Sequence, residues 1–183
     1  MATSRLDCAW REFSFFVRLA RSTLSVAAID LEAESATLSG GASKATNHSG
    51  YSDSGFVDGF YYSTTAQVSF AVNALTVGSY SLTLRYSAGN GTSSNTGLQV
   101  NGSRIKGITF GATSSWDVWS NETETVSLKA GSNTVAYKAE ISSGSCINLD
   151  KLSVLSTAAK ANGSPCASAG ECASGSCVSG RCS

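Results

Sequence analysis

Ser79-Tyr80-Ser81-Leu82-Thr83-Leu84-Arg85-Tyr86 alternates polar and apolar side chains without a break. Successive side chains of a strand point to opposite faces, so Tyr80, Leu82, Leu84 and Tyr86 share one face. A helix would bring its apolar positions round every three or four residues instead. The same period extends outward in both directions. Val68, Phe70 and Val72 alternate in QVSFAVN, Leu98 and Val100 lead into an Asn101-Gly102 turn, and Val126 and Leu128 precede Ala130-Gly131-Ser132-Asn133, with Val135 and Tyr137 after it. Short strands with glycine and asparagine turns, and no helical run, predict an all-β fold, an antiparallel β-sandwich over residues 28–157. The closing strand breaks its own period. Ile147 and Leu149 are odd-numbered whereas Leu152 and Val154 are even, which predicts a β-bulge near Asp150-Lys151.

The 183 residues divide unevenly around that segment. Four of six cysteines, Cys166, Cys172, Cys177 and Cys182, fall in residues 165–183, too short a piece to bury a core. Disulfides are expected there rather than zinc, because the tail has no histidine and no C-x2-C pair. Of three connectivities, the interleaved one, Cys166–Cys177 with Cys172–Cys182, is favoured. Residues 158–164 read as a linker. Residues 1–27 are apolar in FSFFVRLA but carry Arg18 and Arg21, so they fit a leader remnant or an extension and remain unassigned. Cys8 within them is not counted on as a partner for Cys146, which is expected to be a buried free thiol. Disulfides imply a secreted, extracellular protein, and five N-x-S/T sequons at Asn47, Asn90, Asn101, Asn121 and Asn162 are compatible with that.

Charge excludes some partners. Thirteen basic and thirteen acidic residues balance, and charged residues make up only 14% of the chain. Nucleic acid is not expected as a partner, since neutralising phosphates takes a concentrated basic face. No apolar run reaches the roughly eighteen residues of a membrane span. A surface rich in Ser, Thr, Gly and Tyr suits sugars, which offer hydroxyls and C–H faces rather than charge.

The acidic residues that do occur are placed suggestively. Ile29–Glu34 (IDLEAE) opens the β segment and Ile147–Asp150 (INLD) begins its last strand. Strand periodicity sets Glu32 and Glu34 on one face, where they repel unless a cation intervenes, and calcium is the simplest candidate. The alternative is solvated edge glutamates with Asp150 capping a turn.

Taken together, IDLEAE, Asn47-His48-Ser49-Gly50-Tyr51 with Gly55-Phe56-Val57, GSYSLTLRYS, Val100-Asn101-Gly102, Ser115-Trp116-Asp117-Val118-Trp119, the run from Leu128 to Val135, and INLD resemble the carbohydrate-binding modules of family 35, and in outline family 6. The resemblance covers residues 29–155. It implies a jelly-roll sandwich that holds a structural calcium, binds glycans and catalyses nothing itself, usually as an appendage to a glycoside hydrolase. By the same resemblance Glu32, Glu34 and Asp150 supply the Ca2+ ligands, with backbone carbonyls of the Asn47–Tyr51 loop, and tie the first strand to the last. Tyr51, Trp116 and Asn148 match the carbohydrate-binding positions. That chemistry stands on its own terms: an aromatic face covers the C–H groups of a pyranose, and an amide both donates to and accepts from its hydroxyls. Trp119, three residues beyond Trp116, is expected in the core and Trp116 exposed. Asp53 and Asp58 read as turn formers rather than ligands of a second calcium. The expected partner is a galactan, mannan, xylan or uronic-acid-containing polysaccharide, bound by a monomer.

Two other classes compete. Glycosidases need two carboxyls flanking the scissile bond, and neighbours on one strand face flank nothing. His48, the only histidine, has no nucleophile motif around it and is expected to be a loop residue bonded to backbone. A secreted protein-interaction module working through the cysteine-rich tail is the remaining alternative.

Overall fold

The computed structural model describes residues 28–61, 63–75, 77–140, 145–157, 162–166 and 176–183. Eleven strands precede the tail: β1 (Ile29–Glu32), β2 (Thr37–Ser39), β3 (Ser43–Ala45), β4 (Phe56–Asp58), β5 (Gln67–Ala74), β6 (Gly78–Ser87), β7 (Ser94–Val100), β8 (Ser103–Phe110), β9 (Ser120–Leu128), β10 (Gly131–Lys138) and β11 (Asn148–Ser156). They form two antiparallel sheets. One has the order β3-β4-β11-β6-β9 with β1 also on β11, and the other has β2-β5-β10-β7-β8. Inward-facing residues make one core, with Leu82, Leu84, Leu149 and Leu152 from the first sheet and Val68, Phe70, Leu98, Phe110, Val135 and Tyr137 from the second. Tyr86 meets Phe110 edge-on at 4.8 Å between ring centroids, an arrangement aromatic pairs prefer.

The strand β11 organises everything that follows. Its whole length lies against β6, but its other edge is shared: β1 pairs with Lys151–Val154, and β4 pairs at Leu149 through Val57. Asp150 falls in the gap between these two neighbours. The register against β6 slips there, with Leu149 opposite Tyr86 and Lys151 opposite Arg85. This is the bulge that the broken period predicts, and it lets Leu149 and Leu152 both face the core.

Register also separates the two ends of the sandwich. Asn148 pairs with Ser87, and Ser120 with Tyr86, so the loops leaving β6 and entering β9 and β11 emerge together. The chain enters and leaves at the other end, where Ile29 faces Val154 and Ser156 faces Tyr80.

In the tail, β12 (Cys177–Val178) and β13 (Arg181–Cys182) form a hairpin, and a disulfide joins Cys166 to Cys177. Cys182 is buried and disulfide-bonded. Cys172, its expected partner, lies outside the described residues, as do residues 1–27 with Cys8.

Candidate functional site

A cleft of about 670 Å³ opens among the loops at the β6–β11 end. Trp116 forms part of its wall, half-buried, on a loop that is pinned from behind. Thr113 Oγ1 donates to the Ser115 carbonyl at 2.9 Å and accepts from the Ala88 amide at 3.1 Å, while Ser87 Oγ lies 3.1 Å from the Trp116 carbonyl. The fit is close at Gly89. A Cβ there would stand 2.2 Å from the Trp116 amide nitrogen, so only glycine lets the two backbones approach. His48 lies beside Trp116, with ring centroids 5.9 Å apart and planes 26° from parallel.

Asn148, the first residue of β11, also lines the cleft. It is only 7% exposed, and no hydrogen bond within the described residues engages its amide. Buried amides are ordinarily satisfied, so this one is poised for a partner that enters the cleft. Beneath it the wall is apolar, with Phe60, Cys146 and Ile147. Cys146 is free and buried, as expected, and burial pushes its thiol up despite a hydrogen bond with Asn90. Among the described residues no lysine or arginine lines the cleft and Asp58 is its one carboxylate, accepting a 2.7 Å hydrogen bond from Ser43 Oγ.

The expected residues are therefore only partly brought together. Trp116 and Asn148 share the cleft, but Tyr51 is not among its lining residues. It is half-buried on the same loop, 5.7 Å from the Phe56 ring. Tyr61, 56% exposed, is the tyrosine on the cleft wall, and Asn47, Asp58, Asn90 and Thr92 line it too. The run Phe60-Tyr61 and the two sequons are the signals that could have located them. Trp119 is not a core residue. Residues Ser114 to Asp117 form a bend and turn, and Val118 and Trp119 lie outside any strand, so alternation does not apply; Trp119 is half-buried with Nε1 donating to the Ser49 carbonyl at 2.8 Å.

The three acidic positions meet beside the bulge. Strand β1 ends at Glu32, and Ala33–Ser35 form a 3-10 turn, so Glu34 reaches the cluster from that turn and not from a shared strand face. Ser52 bridges the group. Its amide donates to Asp150 Oδ1 at 2.8 Å, and its hydroxyl lies 2.8 Å from Glu32 Oε2 and 3.0 Å from Asp150 Oδ2, so one proton is shared between two carboxylates. Ser54 donates from amide and hydroxyl to Glu34 Oε1 at 3.2 and 3.0 Å. Glu34 Oε2 is buried with no hydrogen-bond partner among the described residues. Arg85 forms an ion pair with fully buried Asp150, while among the described residues neither Glu32 nor Glu34 has a direct ion pair, although Lys151 opposite Glu32 acts on it electrostatically. Burial, and then repulsion from Glu34 and Asp150, holds Glu32 above the usual glutamate range against the Ser52 hydrogen bond.

These are hard oxygen donors with one oxygen orphaned and negative charge in excess, which is the chemistry a calcium ion satisfies. Among the described residues, however, no three such side chains already converge on one point as a finished cage. The loop carbonyls expected as further ligands are engaged elsewhere, that of Ser49 by Trp119 and that of Gly50 by Arg85 at 2.8 Å.

Residues 29–156 match the sequence model of the carbohydrate binding module (family 35). A 1,6-alpha-glucosyltransferase of Sporosarcina globispora is 42% identical over 70% of this chain, which spans only about a tenth of that enzyme. A family 35 carbohydrate binding module from Clostridium thermocellum superimposes with a TM-score of 0.66 at 29% identity, over 70% of this chain and 98% of that one. A cycloisomaltooligosaccharide glucanotransferase of Paenibacillus, in complex with cycloisomaltoheptaose, matches with a TM-score of 0.64 at 34% identity, over 68% of this chain and 18% of that one. With its sandwich matched over nearly its whole length, the chain belongs to the family 35 carbohydrate-binding modules.

Proposed function

We propose that this chain is a secreted, non-catalytic module that holds a neutral, glucose-containing glycan in the cleft between Trp116 and Asn148, its loops stabilised by calcium at Glu32, Glu34 and Asp150. The observation that carries the reading is the Asn148 amide, nearly buried, without a hydrogen bond to any described residue, and lining the cleft with Trp116. A sugar hydroxyl entering there satisfies both ends of the amide while Trp116 covers the ring's C–H groups.

Charge favours a neutral sugar. A uronate would lose hydration beside Asp58 and find no lysine or arginine among the described residues of the cleft wall. The glucosyltransferase and glucanotransferase among the relatives favour glucose, with 1,6-linked chains the first to try. One carboxylate also supports binding over cleavage, because glycosidases place two across the bond. Single-site affinity will be modest, since hydroxyls only exchange water for protein partners, and the module serves to raise the local concentration of an attached or associated enzyme. Calorimetric titration with isomaltooligosaccharides, galactan, mannan, xylan and glucuronic acid tests the reading. Binding of the isomalto series without product release is expected; binding of glucuronic acid alone, or turnover of any of them, would overturn it.

A further inference from the structure

One loop serves both sites. Residues 47 and 48 line the cleft, whereas Ser52 is bonded to Asp150 and lies against Glu32 in the acid cluster. Between them the loop is clamped from beneath. Gly50 has φ +82°, and a Cβ on it would stand 3.2 Å from the Trp119 ring, so loop and indole are in tight contact. Asp117 fastens the far side, accepting from the Ser49 amide at 2.6 Å and the Ser49 hydroxyl at 3.1 Å.

Arg85 touches three parts of this assembly, Asp150, Gly50 and Trp119. Its Nη1 is paired with Asp150, its Nη2 donates to the Gly50 carbonyl at 2.8 Å, and its guanidinium sits 5.3 Å from the centre of the Trp119 ring. Trp119 in turn holds the Ser49 carbonyl, and the next residue back, His48, stacks on Trp116. A planar guanidinium can make an ion pair, a second directed hydrogen bond and a stacking contact at once, and an ammonium cannot.

We infer that Arg85 is a positioning residue for the cleft: it ties the buried Asp150 to the loop that carries His48, and so sets the placement of Trp116 without touching the glycan. The inference rests on the glycan-binding reading for its affinity arm only. Loop placement is a property of the free protein and is read independently.

Arg85→Lys is the informative variant, because it keeps a cation beside Asp150 and gives up the Gly50 and Trp119 contacts. Arg85→Met removes the charge as well. Circular dichroism establishes that each variant is folded, and the indole N–H resonances of Trp116 and Trp119, told apart from that of Trp10 by substitution, then report the two loops. The expected result for Arg85→Lys is displacement or broadening of the Trp116 signal, which Arg85 does not contact, along with that of Trp119, and about a tenfold loss of isomaltotriose affinity. Trp119→Phe, which cuts the bond to the Ser49 carbonyl while keeping a ring, should move Trp116 in the same direction. A Trp116 resonance unmoved in folded Arg85→Lys overturns the inference, as does unchanged isomaltotriose affinity. If the wild-type chain binds no glycan, the functional reading fails alone, and the Trp116 resonance still decides the role of Arg85. Should Arg85→Met not fold, Arg85→Lys and Trp119→Phe carry the same test.

Discussion

The cleft and the acid cluster sit on either side of the β11 bulge, two residues apart in sequence at Asn148 and Asp150, and they leave different things unfinished. In the cleft it is a neutral amide without a hydrogen-bond partner among the described residues. In the cluster it is a buried carboxylate oxygen, Glu34 Oε2, without one. An unpaired neutral group costs a moderate desolvation penalty and suits a reversible, weakly bound ligand. Buried uncompensated charge costs far more, and suits a resident cation. On the proposed reading, one strand supports a site for an exchanging ligand and a site for a permanent one, separated by a single register slip.

The contrast breaks most sharply at the cleft. Asn148→Ala removes no bond to the described residues, so its melting temperature should match or exceed the wild type while glycan affinity falls about ten- to a hundredfold, the loss of two hydrogen bonds. Trp116→Ala should cost at least as much affinity. A large loss of stability in Asn148→Ala, seen by thermal denaturation, would mean that the amide is structural and the two sites are not different in kind. Gly89→Ala probes the same cleft without touching its surface, since the new methyl collides with the Trp116 backbone. A destabilisation of about 1–3 kcal/mol is expected, with weakened glycan binding, because overpacking against backbone has no flexible side chain to absorb it.

At the cluster the expected order is reversed, with stability moving first. A ligand that binds only the folded state at a hundred times its dissociation constant adds about 2.7 kcal/mol. For a sandwich of this size that is roughly ten degrees in melting temperature. Calcium added to chelator-stripped protein should produce such a rise in scanning calorimetry, and Glu34→Gln should abolish it. No rise at any calcium concentration would remove the cation from this reading and leave Arg85, paired with Asp150, and Lys151, opposite Glu32, as the counter-charges among the described residues.

How far the sequence reveals these two sites depends on the backbone that carries them. Within regular strands, side-chain period reports facing directly, and the broken period at Leu149 to Leu152 was enough to locate the bulge. Outside strands the same logic fails. Glu34 was assigned by alternation to a strand that ends at Glu32, and it reaches the cluster because a 3-10 turn swings it inward. Trp119 was assigned to the core by counting from Trp116 along a stretch that is not extended. Tyr51 and Tyr61 illustrate the limit best. Both are loop tyrosines near Phe56 or Phe60, and which one faces the cleft is decided by how the 47–52 loop is tied to Asp117, Trp119 and Asp150, bonds that span up to 98 residues of sequence.

The smallest expected effect concerns protons, and it separates the two sites by sign. Asp117, on the cleft side, is held below the ordinary carboxylate value of 3.8 by the Ser49 amide and hydroxyl, so the support it gives the loop is present above that value and fades only as pH falls through the lowered one. Glu32, in the cluster, is held above 4.5 by burial and by its acidic neighbours. In that case the folded chain binds a proton before the unfolded chain does, and the metal-free protein should gain stability as pH falls through the raised value towards 4.5. Calcium competes with that proton, so its stabilising effect should shrink over the same interval. Melting curves of chelated and calcium-loaded protein should therefore converge as the solution is acidified from neutrality to just above 4.5, and Glu32→Gln should flatten the rise in the chelated series. Parallel curves across that interval would show that Glu32 is an ordinary solvated carboxylate, and that the charge excess at the bulge is borne by Glu34 and Asp150 alone.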